Sequence, residues 1–204
     1  METVELTQAY RQQSVHFLRL LNAVRLNQLD YDDLEDLNER FLPQFEPEEY
    51  YLTLTARNAS AQQINRRELN RIQAPQISFT AKVTGAFSPH LYPTDLTLNL
   101  KEGAQVMFVK NDPQRKFVNG TIGKVVELKE REIKVRVEER GKPPKTIDVQ
   151  PLTWELLKYK LNEDTMKVET EVVGTFEQIP LKLAWAITIH KSQGKTFDRV
   201  IIEL

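Results

Sequence analysis

The hydrophobic period of this chain changes twice, and that limits the folds open to it more than any other feature. Up to Pro75, apolar residues recur at helical spacing between short β-prone runs; from Ile77 they alternate with polar neighbours; beyond Pro180 the mixed character returns. A sequence ordered in this way predicts an α/β domain interrupted by a β-rich insertion, rather than two domains in series. Phe17, Leu20, Leu21 and Val24 predict an amphipathic helix entered from an extended Val4–Thr7 stretch, and Leu34, Leu37 and Phe41 a second one that starts at an Asp32/Glu35 capping box and stops at Pro43. The run from Tyr50 to Thr55 predicts a buried strand, and Asn58 should cap a helix ending before Pro75. Ile77, Phe79, Ala81 and Val83 alternate, as do Ile133, Val135 and Val137; with Gln105–Val109, Lys145–Val149 and Lys167–Phe176 they predict short antiparallel strands, in part closed into a small barrel between about 118 and 179. A helix is expected from Leu181 to about Ser192, a turn at Gly194 and a strand from Arg199 to Leu204.

With 204 residues, 40% of them hydrophobic, the chain is long enough to bury a sizeable core. It has no cysteine, which excludes disulfides and thiolate metal sites, and its three widely spaced histidines offer no metal-ligand spacing. No apolar run is long enough for a signal peptide or a membrane span, so an intracellular protein, cytoplasmic if bacterial, is expected, with no membrane partner. The net charge of −1 hides a polarity. Residues 1–50 carry four basic residues against eleven acidic ones, whereas residues 110–145 carry eleven against six, a local excess of five positive charges that could follow a phosphate backbone or form a solvated β-surface.

The most specific stretch runs from Leu183 to Thr196, Leu-Ala-Trp-Ala-Ile-Thr-Ile-His-Lys-Ser-Gln-Gly-Lys-Thr. Its Gly194-Lys195-Thr196 is not a phosphate-cradling loop, because that loop needs a second glycine five positions earlier and position 189 is Ile. Nor does any apolar strand end in an Asp-Glu pair suited to magnesium. Thr188, His190, Lys191, Ser192 and Gln193 instead present donors for phosphate oxygens or base edges.

This stretch resembles motif V of superfamily 1B DNA helicases of the Pif and RecD type, Ala-x-Ala-x-Thr-x-His-Lys-Ser-Gln-Gly, an element that lies beside single-stranded DNA and the ATP cleft. Lys195-Thr196 after the glycine is similar to the Pif branch. The RecD branch has Ser-Glu there. Val4–Gln12 is similar to motif IV, whose arginine would be Arg11; the resemblance implies that Arg11 reaches the γ-phosphate across an interdomain cleft and stabilises the transition state. Thr55, Arg57 and Asn58, with Asn65 on the following helix, resemble the family's backbone-gripping loop at a strand end and a helix start, where amides and the helix dipole favour phosphate; a plain N-cap is the alternative. Gly103–Met107 and Val118–Gly123 resemble the entry to the family's inserted SH3-like barrel. The exposed amides of Asn119 and Gly120 could hold the strand there, although Asn-Gly is first of all a turn.

The resemblance implies a partial RecA-like parallel-sheet domain (called 2A) at 1–117 and 180–204 with an inserted small SH3-like β-barrel (2B) at 118–179, ending before motif VI. The implied function is the C-terminal portion of an ATP-dependent 5′-to-3′ DNA helicase. Catalytic Arg11 and nucleotide-contacting Arg11, Gln193 and Gly194 would form one wall of the ATP cleft. Thr55, Arg57, Asn58, Asn65, Asn119, Gly120, Thr188, His190, Lys191 and Ser192 would hold single-stranded DNA. ATP and Mg²⁺ would be bound mainly by an N-terminal RecA-like domain of the same polypeptide, with no cofactor held by this part alone. The competing readings are a non-enzymatic nucleic-acid-binding module of helicase ancestry and an SH3-like protein-interaction module.

Overall fold

The computed structural model describes residues 14–47, 49–130, 132–138, 141–162 and 167–203. They fall into two compact units, divided after Pro47.

The first unit holds helices α1 (Val15–Leu26) and α2 (Tyr31–Asn38). Ser14 caps α1 by accepting from the Phe17 amide, and Asn27 ends it in the left-handed conformation. The capping box of α2 lies two residues earlier than the sequence suggested: Asp30 accepts from the Asp33 amide at 2.8 Å while the Asp33 carboxylate accepts from the Asp30 amide at 3.4 Å. Asp33 is buried, and its second oxygen faces Arg19 of α1 at 2.5 Å as an ion pair, without hydrogen-bond geometry. Of the apolar stripe on α1, Leu20 is buried whereas Phe17, Leu21 and Val24 stay substantially exposed.

In the second unit, β1 (Leu52–Thr55) leads into α3 (Asn58–Arg71). Six strands follow: β2 (Ile77–Thr80), β3 (Lys82–Gly85), β4 (Thr97–Leu100), β5 (Gln105–Phe108), β6 (Ile122–Lys129) and β7 (Glu132–Val137). Then come β8 (Lys145–Val149), β9 (Leu152–Asn162), β10 (Lys167–Gln178), β11 (Leu181–Leu183), β12 (Ala186–Thr188), α4 (Ile189–Ser192) and β13 (Val200–Glu203). The architecture is mixed α/β: a parallel sheet in the order β12-β1-β13 beside antiparallel sheets β11-β5-β6-β7-β8, β3-β10-β9 and β2-β4. Among the described residues the five-stranded sheet does not close, with β11 and β8 at its two ends, and it draws on β5 and β11 from outside 118–179.

The expected helix over 181–192 is corrected. Leu181–Leu183 pairs antiparallel with β5, Ala186–Thr188 pairs parallel with β1, and only Ile189–Ser192 is helical. The alternating run Ile77–Val83 likewise divides at buried Ala81, β2 pairing with β4 and β3 with β10.

Strand β5 is buried on both faces and is the wall shared by two cores. Val106 and Phe108 enter the larger core with Leu98, Val125, Val135 and Leu181, where Phe117 stacks on Phe108 at 3.9 Å. Met107 enters a smaller one with Leu52, Ala184 and Ile187, which binds the parallel sheet to the antiparallel one. Gln105 shares that second face. Its amide donates to the Tyr51 and Ala184 carbonyls at 2.8 and 2.7 Å and its carbonyl accepts from the Tyr50 amide at 3.1 Å. A third cluster, of Phe87, Phe176, Tyr92 and Trp154, sits where β10 leaves β3. There Gly85 (φ 62°) and Gly174 lie so close to the Val173 bulge that a Cβ on Gly85 would stand 2.3 Å from the Val173 carbonyl oxygen.

Gln105→Ala removes three hydrogen bonds and leaves buried backbone groups unpaired. A loss of about 2–4 kcal/mol in unfolding free energy is expected in denaturant titration; a change below about 0.5 kcal/mol, the range usual for surface substitutions, would show that the bridge is not needed.

Candidate nucleic-acid interface

The site starts at the carboxyl ends of parallel strands, where α/β sheets present ligands. Thr55 of β1 and Thr188 of β12 are register partners, and both are buried. Thr55 Oγ1 donates to the Arg57 carbonyl at 2.9 Å and so folds the turn from strand to helix. The N-cap of α3 is Arg57 rather than the expected Asn58, and it makes no side-chain cap, so the opening amides of α3 carry no side-chain acceptor from it. Asn58, in the first turn, accepts from Lys191 Nζ at 3.3 Å and ties the start of α3 to α4.

Asn65 has another role. Its Oδ1 accepts from the Trp185 and Ala186 amides at 3.0 and 2.9 Å, and its Nδ2 donates to the Ala186 carbonyl at 2.8 Å. The side chain brackets the edge of β12 and acts as a structural clamp on it. Ser192 is also partly committed, its hydroxyl donating to the Ile189 carbonyl at 2.7 Å. His190, Lys191, Gln193 and Gly194 are exposed. Arg11 lies outside the described residues.

After α4, Gly194 turns the chain in the left-handed region (φ 77°), where a side chain is strained, and the Lys195 amide donates to the Ser192 carbonyl at 3.0 Å. Lys195 Nζ then donates to Asn119 Oδ1. Asn119 and Gly120 form the turn before β6, held by Asn119 N to Asn111 Oδ1 at 2.8 Å and Gly120 N to the Phe108 carbonyl at 2.8 Å. Gly120 (φ 101°) packs against the Lys195 stem; a Cβ there would stand 3.3 Å from Lys195 Cδ. The segment 189–195 thus joins two groups that the sequence could only name separately: Thr55, Arg57, Asn58 and Thr188 on one side, Asn119 and Gly120 on the other. Beside the second group opens a cleft of about 790 Å³, lined by Tyr50, Asn119, Gly120, Lys195, Glu138 and Arg199 among others.

Sequence reasoning gave no site role to Lys195, which it took as part of a false phosphate loop and as a mark of the Pif branch, nor to Tyr50, a non-glycine residue at φ 66°. Desolvation lowers the Lys195 ammonium from its ordinary value; burial, then the charges of Glu138 and Glu49, push the Tyr50 phenol up to about 12. A further signal was available at Lys182, a cation inside the apolar run Leu181–Leu183. Burial first, then Lys191, lower its pKa, with Asp95 opposing.

Four basic residues of the 110–145 stripe are ion-paired. Lys134 pairs with Glu127 and Glu132 at 2.7 and 2.8 Å, Lys129 with the same two carboxylates, Arg136 with Glu138, and Lys124 with Glu49. Lys110 lies 4.8 Å over the Trp154 ring.

A parallel sheet, a helix start beside a short Thr-x-His-Lys-Ser-Gln-Gly element and an antiparallel insertion together match the architecture of solved Pif1-type superfamily 1B helicases. The family profile described as "DNA helicase Pif1, 2B domain" matches residues 92–128. The chain is 32% identical over its whole length to ATP-dependent DNA helicase Pif1 of Bdellovibrio bacteriovorus, covering 44% of that protein, and 32% identical over 99% of its length to human ATP-dependent DNA helicase PIF1, covering 31%. Unliganded Pif1 from Bacteroides superposes with a TM-score of 0.84 at 35% identity, over 98% of this chain and 46% of that one. Pif1 of the same genus bound to single-stranded DNA gives 0.68 at 35% identity, over 98% of this chain and 45% of that one. Over its whole length the chain is similar to part of the Pif1 type of superfamily 1B helicases, and it spans less than half the length of these relatives.

The ladder on β6 and β7 makes a pH prediction. Hydrogen bonds from Lys129 and Lys134 hold the Glu127 carboxyl down at about 2, against 4.5 when unperturbed. A depressed carboxyl stabilises the fold above its unfolded value and loses that contribution as pH falls through the folded one. Wild type should therefore exceed Glu127→Gln in urea stability near neutrality, with the gap closing between about 4.5 and about 2 and shrinking in high salt. A gap independent of pH would mean that the pairs are not formed in solution.

Proposed function

We propose that this chain supplies the DNA grip of the second motor half of an ATP-dependent, 5′-to-3′ translocating DNA helicase, and one wall of its ATP cleft. The observation that carries this reading is the pair of lysine–asparagine hydrogen bonds, Lys191 to Asn58 and Lys195 to Asn119. They draw the start of α3, α4 and the turn before β6 into one continuous polar surface. Relatives covering the chain are named ATP-dependent DNA helicase Pif1, and one Bacteroides structure is described as bound to single-stranded DNA.

In this reading Arg57, Asn58, Thr188, His190 and Lys191 contact the strand's phosphates, with the open α3 amides and helix dipole adding an anion-favouring end. Asn119 and Gly120 take the next stretch as it passes the 2B insertion. Gln193, exposed beside Gly194, faces the nucleotide, and Arg11 supplies the cation that reaches the γ-phosphate. ATP supplies the energy of translocation when bound. The described residues gather no set of three acidic or histidine side chains that would hold a metal ion. Magnesium and most of the nucleotide are assigned in this reading to an N-terminal RecA-like domain of the longer polypeptide, acting inside the cell. Closing and opening of the cleft would alternate the grip between two conformations of different DNA affinity.

Titrating the chain with fluorescent oligothymidine at several salt concentrations should give a binding constant that falls log-linearly with salt, and Arg57→Ala or Lys191→Ala should each flatten the slope by about 0.7. Salt-insensitive binding, or none, would favour a protein-interaction module instead. In the longer protein, Arg11→Ala should keep strand binding but lower ATP turnover by roughly 10³-fold or more; unchanged turnover removes Arg11 from the site.

A further inference from the structure

Lys195 and Asn119, joined by a hydrogen bond, both line the cleft of about 790 Å³. That volume lies in the usual range of small-molecule sites, about 300–1,000 Å³. The apolar part of the lining is firmly based. Ile122 and Phe197 line the cleft while packing on the smaller core of Leu52, Met107, Ala184 and Ile187, and Val137 lines it from the larger core. Tyr50 adds a second aromatic residue. At φ 66° it holds a backbone conformation that is strained for a bulky side chain, and Gln105 Oε1 secures it there by accepting from its amide at 3.1 Å. Two carboxylates also line the cleft. Glu138 pairs with Arg136 at 3.0 Å, whereas Asp198 is exposed and has no hydrogen bond or ion pair with any described residue.

We propose that this cleft takes one nucleobase of the single strand, stacked on Tyr50, with Asp198 accepting from its exocyclic amino group, an inference that rests on the strand-gripping function proposed above. The two halves of a nucleotide call for opposite surroundings. Carboxylates repel a phosphate, and two of them line this cleft; an uncharged base gains from aromatic and apolar walls. The Lys195 ammonium has three donors and gives one to Asn119, which leaves donors for the phosphate of the nucleotide whose base enters. The Tyr50 phenol, pushed up to about 12, is neutral at working pH and adds no repulsion. Stacking alone is indifferent to the base. A carboxylate is not, because it accepts and cannot donate. Cytosine presents its N4 amino donor where thymine presents the O4 carbonyl, so a carboxylate facing that position attracts the first and repels the second. Asp198 therefore makes the chain prefer an amino-bearing base over thymine at this one position.

The test uses the whole chain at neutral pH, with oligodeoxycytidine and oligothymidine of equal length as probes. Wild type should bind the cytidine oligomer roughly five- to tenfold more tightly, the discrimination that one good base contact supplies. Asp198→Ala should bring the two affinities together. Its loss of charge favours both oligomers alike, so the ratio is the readout, and replacing an exposed side chain leaves the fold intact. Tyr50→Asn, which puts in a residue at ease in the left-handed region, should weaken both oligomers roughly tenfold with an unchanged salt slope, because a stacking contact releases no counterions. Equal affinities in wild type, an unchanged ratio in Asp198→Ala or full affinity in Tyr50→Asn overturns the base site, and leaves the grip intact where both oligomers still bind in a salt-dependent way. Salt-independent binding by the unmodified chain, or none, overturns the grip itself and this inference with it.

Discussion

The buried amide of Gln105 is the interaction on which the arrangement of the second unit rests. It stands on β5, the strand shared by both cores, and holds the entry to β1 at Tyr50 and Tyr51 and the exit of β11 at Ala184. From the opposite side, Asn65 of α3 clamps Trp185 and Ala186. Two side-chain amides thus fix three consecutive residues between β11 and β12. Ala184 and Ala186 have essentially no exposed surface, so a larger side chain at either would meet a packed wall. The element that follows, from Thr188 through Gly194, is consequently launched from a backbone with little freedom to shift.

How much of this was legible in the sequence depended on whether local pattern or long-range pairing decided each element. The strand Glu132–Val137 was legible because it has one buried and one exposed face, which leaves strict alternation. The segment 181–192 was not. Leu181, Ala184 and Ile187 fit a helical period, while Leu181, Leu183, Trp185, Ile187 and Ile189 fit a period of two equally well. A segment enclosed on both sides carries no polar face to distinguish them, and pairing with β5 and β1 decided the matter. The role of Asn65 was hidden for a related reason. A polar residue on a helix announces a hydrogen-bonding need without saying whether backbone or ligand will meet it, and here the unpaired edge of β12, 120 residues away, does so.

Charge was legible in amount and misleading in meaning. The eleven basic residues of 110–145 suggested a phosphate track, yet cross-strand register sets Lys134 opposite Glu127 and Lys129 opposite Glu132, so those two lysines are met within the sheet. Register is a product of the hairpin and cannot be counted from composition. The less conspicuous lysines at 191 and 195 follow an apolar-looking segment, and only the fold brings them to Asn58 and Asn119. What steers a polyanion is the unbalanced remainder after internal pairing.

The two halves of the proposed grip are tied to the fold in different ways. Thr55 and Thr188 are buried at the ends of paired strands, and the start of α3 is built onto them, so that side moves only with the parallel sheet. Asn119 and Gly120 belong to a turn of the antiparallel insertion, joined to the first side through one lysine and a glycine in the left-handed region. Rotation of the insertion would be absorbed at Gly194 and at the flexible Lys195 stem, while the buried Gln105 bridge keeps β5 and β1 together. A strand held at both places would be gripped firmly by the sheet and adjusted by the insertion, so displacement of the sheet passes to the strand without the two contacts having to move as one body.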